Sequence, residues 1–355
     1  MITTSPIRVL VIDDSALMRQ LLSALLSEDP EIEVVGTAND PFMARDRIKA
    51  LNPDVVTLDI EMPQMDGLTF LRKLMELRPM PVVMCSTLTQ AGAEATLQAL
   101  EIGAIDFIAK PTSNIAGGMS DLAAELRSKV KTAARARIST RRTAPKQAPI
   151  KHGLLGNIAE KLIVIGASTG GVEALKEVLI HLPPDTPPIL IAQHMPPRFT
   201  TAFANRLNNE CPMTIHEAAH DQPVERGHVY IAPGAHHLEL NRKNGRFFCL
   251  LHDAAQVSGH RPSVDVLFRS FARIAARMTI GVILTGMGKD GAEGMLELRQ
   301  AGATTFGQDE ESSLIYGMPR VAYERGAVMH QYSLSKMSDA ILEACGATAH
   351  AMARV

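Results

Sequence analysis

The sequence predicts an α/β protein made of two doubly wound parallel-sheet domains, and three observations carry that reading. Short apolar runs alternate with stretches of helical spacing, as Arg8–Ile12 before Leu17, Leu21 and Leu25, and Leu162–Ile165 before Val172, Leu175, Val178 and Leu179. Such runs lead to reactive side chains: Asp13-Asp14, Asp59, Ser86, Lys110, Ser168 and His194 at or just past their ends, and Asp290 in a glycine-punctuated loop beyond one. In a parallel sheet the carboxyl ends of the strands share one edge, and ligands sit there. Length and charge then divide the chain. At 355 residues it exceeds what one core usually supports. Residues 1–127 hold 10 Lys/Arg against 18 Asp/Glu, residues 128–157 hold 8 against none, and residues 158–355 hold 18 against 20. This places domains at 6–127 and 158–350, joined by a basic linker at 128–157.

In the acidic block, Arg8–Ile12 is a strand that ends at Asp13 and Asp14, and Ser15 is a good cap for a helix whose Leu17, Leu21 and Leu25 fall on one face. Asp54–Leu58 is a second strand, ending at Asp59. Paired in a parallel sheet, the two strands bring Asp13, Asp14 and Asp59 into one crevice. Three carboxylates there repel one another and make an oxygen-lined pocket suited to Mg²⁺, with one carboxylate available as a phosphoryl acceptor. Pro81–Cys85 leads to Ser86 and Thr87, and Ala104–Ala109 leads to Lys110-Pro111, adding a hydroxyl and an ammonium for phosphoryl oxygens.

These positions, together with Leu58-Asp59-Ile60-Glu61-Met62-Pro63 and Asp66-Gly67, resemble the response-regulator receiver family in both residue type and order. The resemblance covers residues 6–127. It implies a flavodoxin-like fold, phosphorylation of Asp59 by a histidine kinase, and a Mg²⁺ site made by Asp13, Asp14 and Asp59. It also implies phosphate sensing by Ser86 and pairing with Lys110. Phe107 is either the family's switch aromatic or a core aromatic.

The basic connector from Ser128 to Asn157 starts with a helical look and then loses periodicity among Thr, Pro, Gln and Arg, as a solvated tether does. It has no interleaved aromatics and no reader motif follows it, so nucleic acid is not the expected partner.

In the last block, Leu162–Ile165 followed by Gly166-Ala167-Ser168-Thr169-Gly170-Gly171 reads as strand, tight turn and helix. The turn fits the G-x-S-x-G elbow, with Ser168 at its apex. Taken alone it leaves three readings open: a nucleophile, a helix cap, or a phosphate cradle. Pro188–Gln193 ends at His194, and Met278–Thr285 runs into Gly286-Met287-Gly288-Lys289-Asp290-Gly291. If these three strands are neighbours, Ser168, His194 and Asp290 meet at one edge. Serine is a weak nucleophile at neutral pH, so an imidazole must take its proton and a carboxylate must hold the imidazole. An amide of the glycine-rich loop, Met287 foremost, is placed to stabilise an oxyanion. Asp265 is the rival acid. It precedes a helical pattern, which favours a cap.

The segments IGASTGG, AQHMP, HRPSVDVLF and LTGMGKDG together resemble the catalytic domain of chemotaxis protein-glutamate methylesterases. With the receiver-like block in front, the resemblance spans nearly the whole chain. It implies a Rossmann-like fold, with Ser168 as nucleophile, His194 as base, Asp290 as orienting acid, Thr169 beside them and the Met287 amide as oxyanion donor. The implied reaction is demethylation of glutamyl methyl esters, and deamidation of glutamines, on methyl-accepting chemotaxis receptors, with no cofactor for the ester chemistry. The receiver in its unphosphorylated form is expected to restrain that activity. The chain order Ser, His, Asp differs from the Ser, Asp, His order of α/β-hydrolases, so the elbow does not license that fold.

Gly227–Ala232 is a further strand, and His237–Leu240 with Arg246–Leu251 form a hairpin. His228, His236, His237, His252 and His260 lack metal-ligand spacing. Cys85, Cys211, Cys249 and Cys345 are scattered, as reduced thiols are. No apolar run is long enough to span a bilayer and Met1–Ile7 lacks a secretory pattern. A cytoplasmic location without membrane insertion is expected.

Overall fold

A computed structural model describes residues 5–63, 65–110, 119–136 and 160–346, and the chain divides into two compact units, Met1–Arg141 and Arg142–Val355. The first unit runs β1 (Ile7–Ile12), α1 (Ala16–Ser27), β2 (Ile32–Ala38), α2 (Pro41–Leu51), β3 (Val55–Asp59), α3 (Gly67–Leu77), β4 (Val82–Ser86), α4 (Gln90–Ile102), β5 (Asp106–Ala109) and α5 (Met119–Arg135). Its sheet has the all-parallel order β2-β1-β3-β4-β5, which is the flavodoxin-like order. Strand direction of travel reverses between β1 and β3, so the loops after these strands diverge around one crevice, and Asp13 and Asp59 lie on it.

Helix starts are set by side-chain caps. Ser15, Asp40, Asp66 and Thr89 each accept a backbone N–H from the first turn of α1, α2, α3 and α4, satisfying donors that have no partner inside the helix. The buried stripe of α1 is Leu22, Leu25 and Leu26, whereas Leu17 is 71% exposed. This corrects the expected face: successive steps of four residues each overshoot a full turn by about 40°, so Leu17, Leu21 and Leu25 drift around the helix. Helix α5 buries Ala123, Leu126, Val130 and Ala133 and runs to Arg135, so its last turns occupy the start of the segment read as tether. There Lys129 pairs with Asp106 and Glu125, and Lys131 with Asp29 and Glu31. The rest of the tether, residues 137–157, lies outside the described residues.

The second unit runs β6 (Leu162–Ala167), α6 (Gly171–Leu179), β7 (Ile189–Gln193), α7 (Phe199–Glu210), β8 (Thr214–Glu217), β9 (His228–Ile231), β10 (His237–Lys243), β11 (Arg246–His252), α8 (Val264–Ile274), β12 (Thr279–Ile283), α9 (Ala292–Gln300), β13 (Thr304–Gln308), α10 (Met318–Glu324), β14 (His330–Tyr332) and α11 (Leu334–Ala344). Seven parallel strands lie in the order β14-β13-β12-β6-β7-β9-β8. The strands expected to end at Ser168, His194 and Asp290 are thus adjacent, with β6 between β12 and β7. The antiparallel hairpin β10–β11 closes through Asn244 and Gly245, both at positive φ (51° and 81°), as a two-residue primed turn requires.

Helix α8 joins the hairpin to the sheet. It packs on β10 and β6, and its Val264, Leu267, Phe268 and Phe271 are buried with Ile283, Met295, Leu298 and Met318. Its first turn lies so close to the end of β6 that a Cβ at Gly166 would stand 2.2 Å from Val264 Cγ1, so only glycine allows this approach. Cys85, Cys249 and Cys345 are buried and all four cysteines are free thiols, as their scatter predicts.

Phe268 sits at the centre of this packing and is fully buried. Phe268→Ala should destabilise the second unit by about 3–5 kcal/mol. Urea unfolding of the full chain should show an earlier transition for that unit and an unchanged one for the first.

Candidate active site and acidic pocket

Ser168 immediately follows β6, and the loop around it is built from its neighbours' carbonyls and amides. Its N–H donates to Thr285 O (3.1 Å), its carbonyl accepts from Gly171 N (2.7 Å), and Gly170 turns the chain into α6 at φ 78°. The Gln193 carboxamide donates to Ser168 O (3.0 Å) and to His194 O (3.2 Å), tying the ends of β6 and β7 together. Across the other gap, Thr285 Oγ1 donates to Thr169 O (3.0 Å). Gly286 lies flat against the serine: a Cβ there would fall 2.8 Å from Ser168 Cβ. The next residue, Met287, is 37% exposed.

His194 bridges the other two residues. Its Nδ1 is 3.1 Å from Ser168 Oγ and its Nε2 is 2.8 Å from Asp290 Oδ2. An ionised carboxylate can only accept, so Nε2 carries the proton and the Nδ1 lone pair faces the hydroxyl. The two ring nitrogens are exchanged relative to the chymotrypsin arrangement, where Nε2 faces the serine. The chemical logic survives the exchange, because each nitrogen still has one partner.

Asp290 is 2% exposed and accepts four hydrogen bonds. Besides His194, these come from Ser263 Oγ (2.8 Å), Val264 N (2.7 Å) and Asp265 N (3.1 Å), at the start of α8. Burial alone would raise its pKa. The hydrogen bond and charge of His194 and the Val264 and Asp265 amides outweigh that, and hold it at about 2.

Asp265 has a different part from the cap expected at the start of its own helix. Ser263 caps α8, and Asp265, inside the first turn, accepts from Gly294 N (2.7 Å) at the start of α9. Asp290, just before α9, serves α8 in return. Burial and then the nearby Asp290 charge raise the Asp265 pKa, against the Gly294 amide, which lowers it.

Three contributors escaped sequence reasoning. Gln193 was visible as a lone polar residue closing an apolar run, and Ser263 as a helix-cap type ahead of an apolar period. His260 heads the HRPSVDVLF segment but in the sequence is only a histidine without metal-ligand spacing, yet its ring stacks on His194 at 3.6 Å between centroids, 12° from parallel. The other histidines form no metal cluster among the described residues. His237, for example, is buried, donates to Ala255 O and accepts from Ser263 N.

In the first unit, Asp13, Asp14 and Asp59 each bring a carboxylate oxygen within 4.8 Å of the others. Lys110 Nζ lies 2.9 Å from Asp13 Oδ2 and 2.7 Å from Asp59 Oδ2. Burial, opposed by the Lys110 hydrogen bond and assisted by the Asp13 charge, pushes Asp59 up to about 6. Two buried carboxylates and an exposed one are hard oxygen donors with an open side for water, so the residues fit Mg²⁺. Ser86 ends β4, next to β3, and its hydroxyl donates to Gly92 O (3.0 Å). Phe107 is 4% exposed with Lys129 Nζ 5.0 Å from its ring centroid, so it is a core aromatic here. Pro111 lies outside the described residues.

A protein-family model described as CheB methylesterase matches residues 163–341, and one described as response regulator receiver domain matches residues 9–116. The chain belongs to the CheB methylesterase family. It is 51% identical over 345 residues to a protein of Geobacter metallireducens named protein-glutamate methylesterase/protein-glutamine glutaminase 1, covering 94% of this chain and 95% of that one. A protein of Pectobacterium atrosepticum named protein-glutamate methylesterase/protein-glutamine glutaminase is 54% identical, over 95% and 97% of the two chains. The crystal structure of the Thermotoga maritima CheB methylesterase catalytic domain aligns with 53% of this chain and all of that one, at TM-score 0.51 and 38% identity. Both domains of the resemblance are therefore present: a CheB methylesterase domain behind a receiver domain.

The low Asp290 pKa sets a pH signature for this domain. Because the folded value lies below the ordinary 3.8, ionised Asp290 adds stability that is complete above about pH 4 and is lost as the pH falls towards 2. The gap in thermal midpoint between wild type and Asp290→Asn should shrink over that window. A constant gap would contradict the pKa assignment.

Proposed function

We propose that this CheB-family methylesterase is a phosphorylation-activated serine hydrolase. Its substrates are glutamyl methyl esters, and selected glutamines, on methyl-accepting chemotaxis receptors. The observation that carries the reading is the continuous chain Ser168 Oγ, His194, Asp290 at the carboxyl edge of three adjacent strands. Ser168 Oγ attacks the ester carbonyl while His194 Nδ1 takes its proton, and the Met287 N–H stabilises the oxyanion. Asp290, held ionised, keeps the Nε2 proton in place and offsets the imidazolium charge. Collapse of the tetrahedral species breaks the C–O bond to the methoxy group, His194 returns the proton, and methanol leaves. Water then adds to the acyl-serine with His194 again as base, releasing glutamate and restoring Ser168. With a glutamine the same steps release ammonia, since ester and amide differ chiefly in the leaving group to be protonated. Named side chains supply every proton transfer in this sequence, and no cofactor is proposed for the ester chemistry.

In the receiver, Asp59 accepts a phosphoryl group from a chemotaxis histidine kinase. Asp13, Asp14 and Asp59 would hold Mg²⁺, which when bound supplies positive charge to the phosphoryl oxygens. Lys110 pairs with the phosphoryl group, and Ser86 exchanges its bond to Gly92 for one to phosphate. The phosphorylated receiver lifts its restraint on the esterase. The enzyme is proposed to act in the cytoplasm on the receptors' signalling helices, without membrane insertion; no helix among the described residues is long and apolar enough to cross a membrane. A nucleic-acid partner has no support in the near-neutral charge of residues 158–355.

Ser168→Ala and His194→Ala should each lower methanol release from methylated receptor by at least about 10³-fold. Asp59→Asn should leave basal release intact and remove its stimulation by a small-molecule phosphodonor, and EDTA should do the same to the wild type. Deleting residues 1–157 should raise the basal rate; an unchanged or lower rate in a folded fragment would reject the restraint.

A further inference from the structure

Ser168 and Asp290 meet the His194 ring at its edge, through the two nitrogens, while one of its faces is covered by His260. The centroid separation of 3.6 Å is van der Waals contact, and the His194 side chain is left only 8% exposed although it follows a strand end. His260 is presented by a built turn. Val257 and His260 exchange both backbone hydrogen bonds, 3.1 and 3.0 Å, around Ser258 and Gly259 at φ 55° and 80°. Two consecutive positive φ values define a primed turn, and Ser258 accepts that conformation without being a glycine. The Arg261 guanidinium anchors the base of the turn on Asp253 O (2.6 Å) and Ala254 O (3.0 Å). Just beyond, Ser263 Oγ donates to Asp290. One short stretch, Val257–Ser263, therefore reaches both the face of the imidazole and the carboxylate that holds its edge.

We propose that His260 is a positioning residue for the esterase: its flat ring locks the orientation of His194, and so the direction in which Nδ1 faces the serine. This rests on the reading of Ser168, His194 and Asp290 as the catalytic set. The argument is steric. Rotation of the His194 ring about its Cβ–Cγ bond swings the ring edge out of plane and into a neighbour already at contact distance. Without that neighbour one face of the ring loses its contact, and of the two hydrogen bonds that also hold the ring one must break in every turnover as the serine proton moves. Water would also reach the exposed face and compete for Nδ1. The feature of position 260 that does this is a flat ring of about imidazole size in contact with the His194 face.

The test compares wild type, His260→Ala, His260→Leu and His260→Phe in the full chain. It reads methanol release from methylated receptor, the rate of Ser168 labelling by a fluorophosphonate probe, and the thermal midpoint. His260→Ala and His260→Leu should lower kcat and labelling rate about 10- to 100-fold with KM within about twofold, while His260→Phe recovers to within about threefold of wild type. Wild-type kcat in His260→Ala overturns the proposal. So does a His260→Phe protein that folds with the wild-type midpoint but is as slow as His260→Ala or His260→Leu, since a flat ring then does not suffice. Failure of the probe to label Ser168 in the wild type overturns the catalytic set itself, and the two failures are distinguishable.

Discussion

The second unit is arranged around one buried negative charge. Asp290 is almost fully withdrawn from solvent, and a carboxylate in such a place is tolerated only when donors replace the water it has lost. The donors come from separate elements: a histidine ring beyond β7, and a hydroxyl and two amides at the N-terminus of α8, where backbone N–H groups already point outward. Meeting that demand dictates much of the surrounding design. Helix α8 must start at the carboxyl edge of the sheet, which requires a residue without a Cβ at Gly166, and α9 must lie alongside, where Asp265 caps it. The serine loop is then squeezed between β12 and β7, braced by Thr285 and Gln193.

The receiver has a buried aspartate at the corresponding edge with the opposite balance. Asp59 shares its crevice with Asp13 and has one ammonium and one backbone N–H to compensate, so burial prevails and its proton affinity rises. The contrast is one of donor number: Asp290 is saturated, Asp59 is not. An acid that orients a catalytic imidazole has to stay ionised while the imidazole gains and loses a proton. A pocket of under-compensated carboxylates instead attracts a divalent cation. Each environment suits the part proposed for it.

What could be read in advance divides along the same lines. The strands were legible as short apolar runs bounded by turn residues, and the hairpin from two such runs joined by Asn241-Arg242-Lys243-Asn244-Gly245, because these preferences are local. The inner face of α1 was misjudged because four-residue spacing is only an approximate period, so the stripe centred on Leu25 was drawn through Leu17 when packing against β2 and α5 selects Leu22 and Leu26. The helical look at the start of the connector agrees with α5 running through Lys129 and Lys131, but the pairing of these cations with Asp106 and Asp29 was not legible, since those acids stand elsewhere in the chain.

The sequence by itself determined that Ser168, His194 and Asp290 would each stand just past the end of a parallel strand, because apolar runs, glycines and chain order are properties of neighbouring residues. Only the tertiary structure decided that those strands are adjacent, that Nδ1 and not Nε2 faces the serine, that Asp265 closes α9, and that His260 covers the imidazole. Each of those depends on residues brought together across tens of positions by sheet order and by the close seat of α8 on β6. No local pattern records a contact whose partners are chosen by packing.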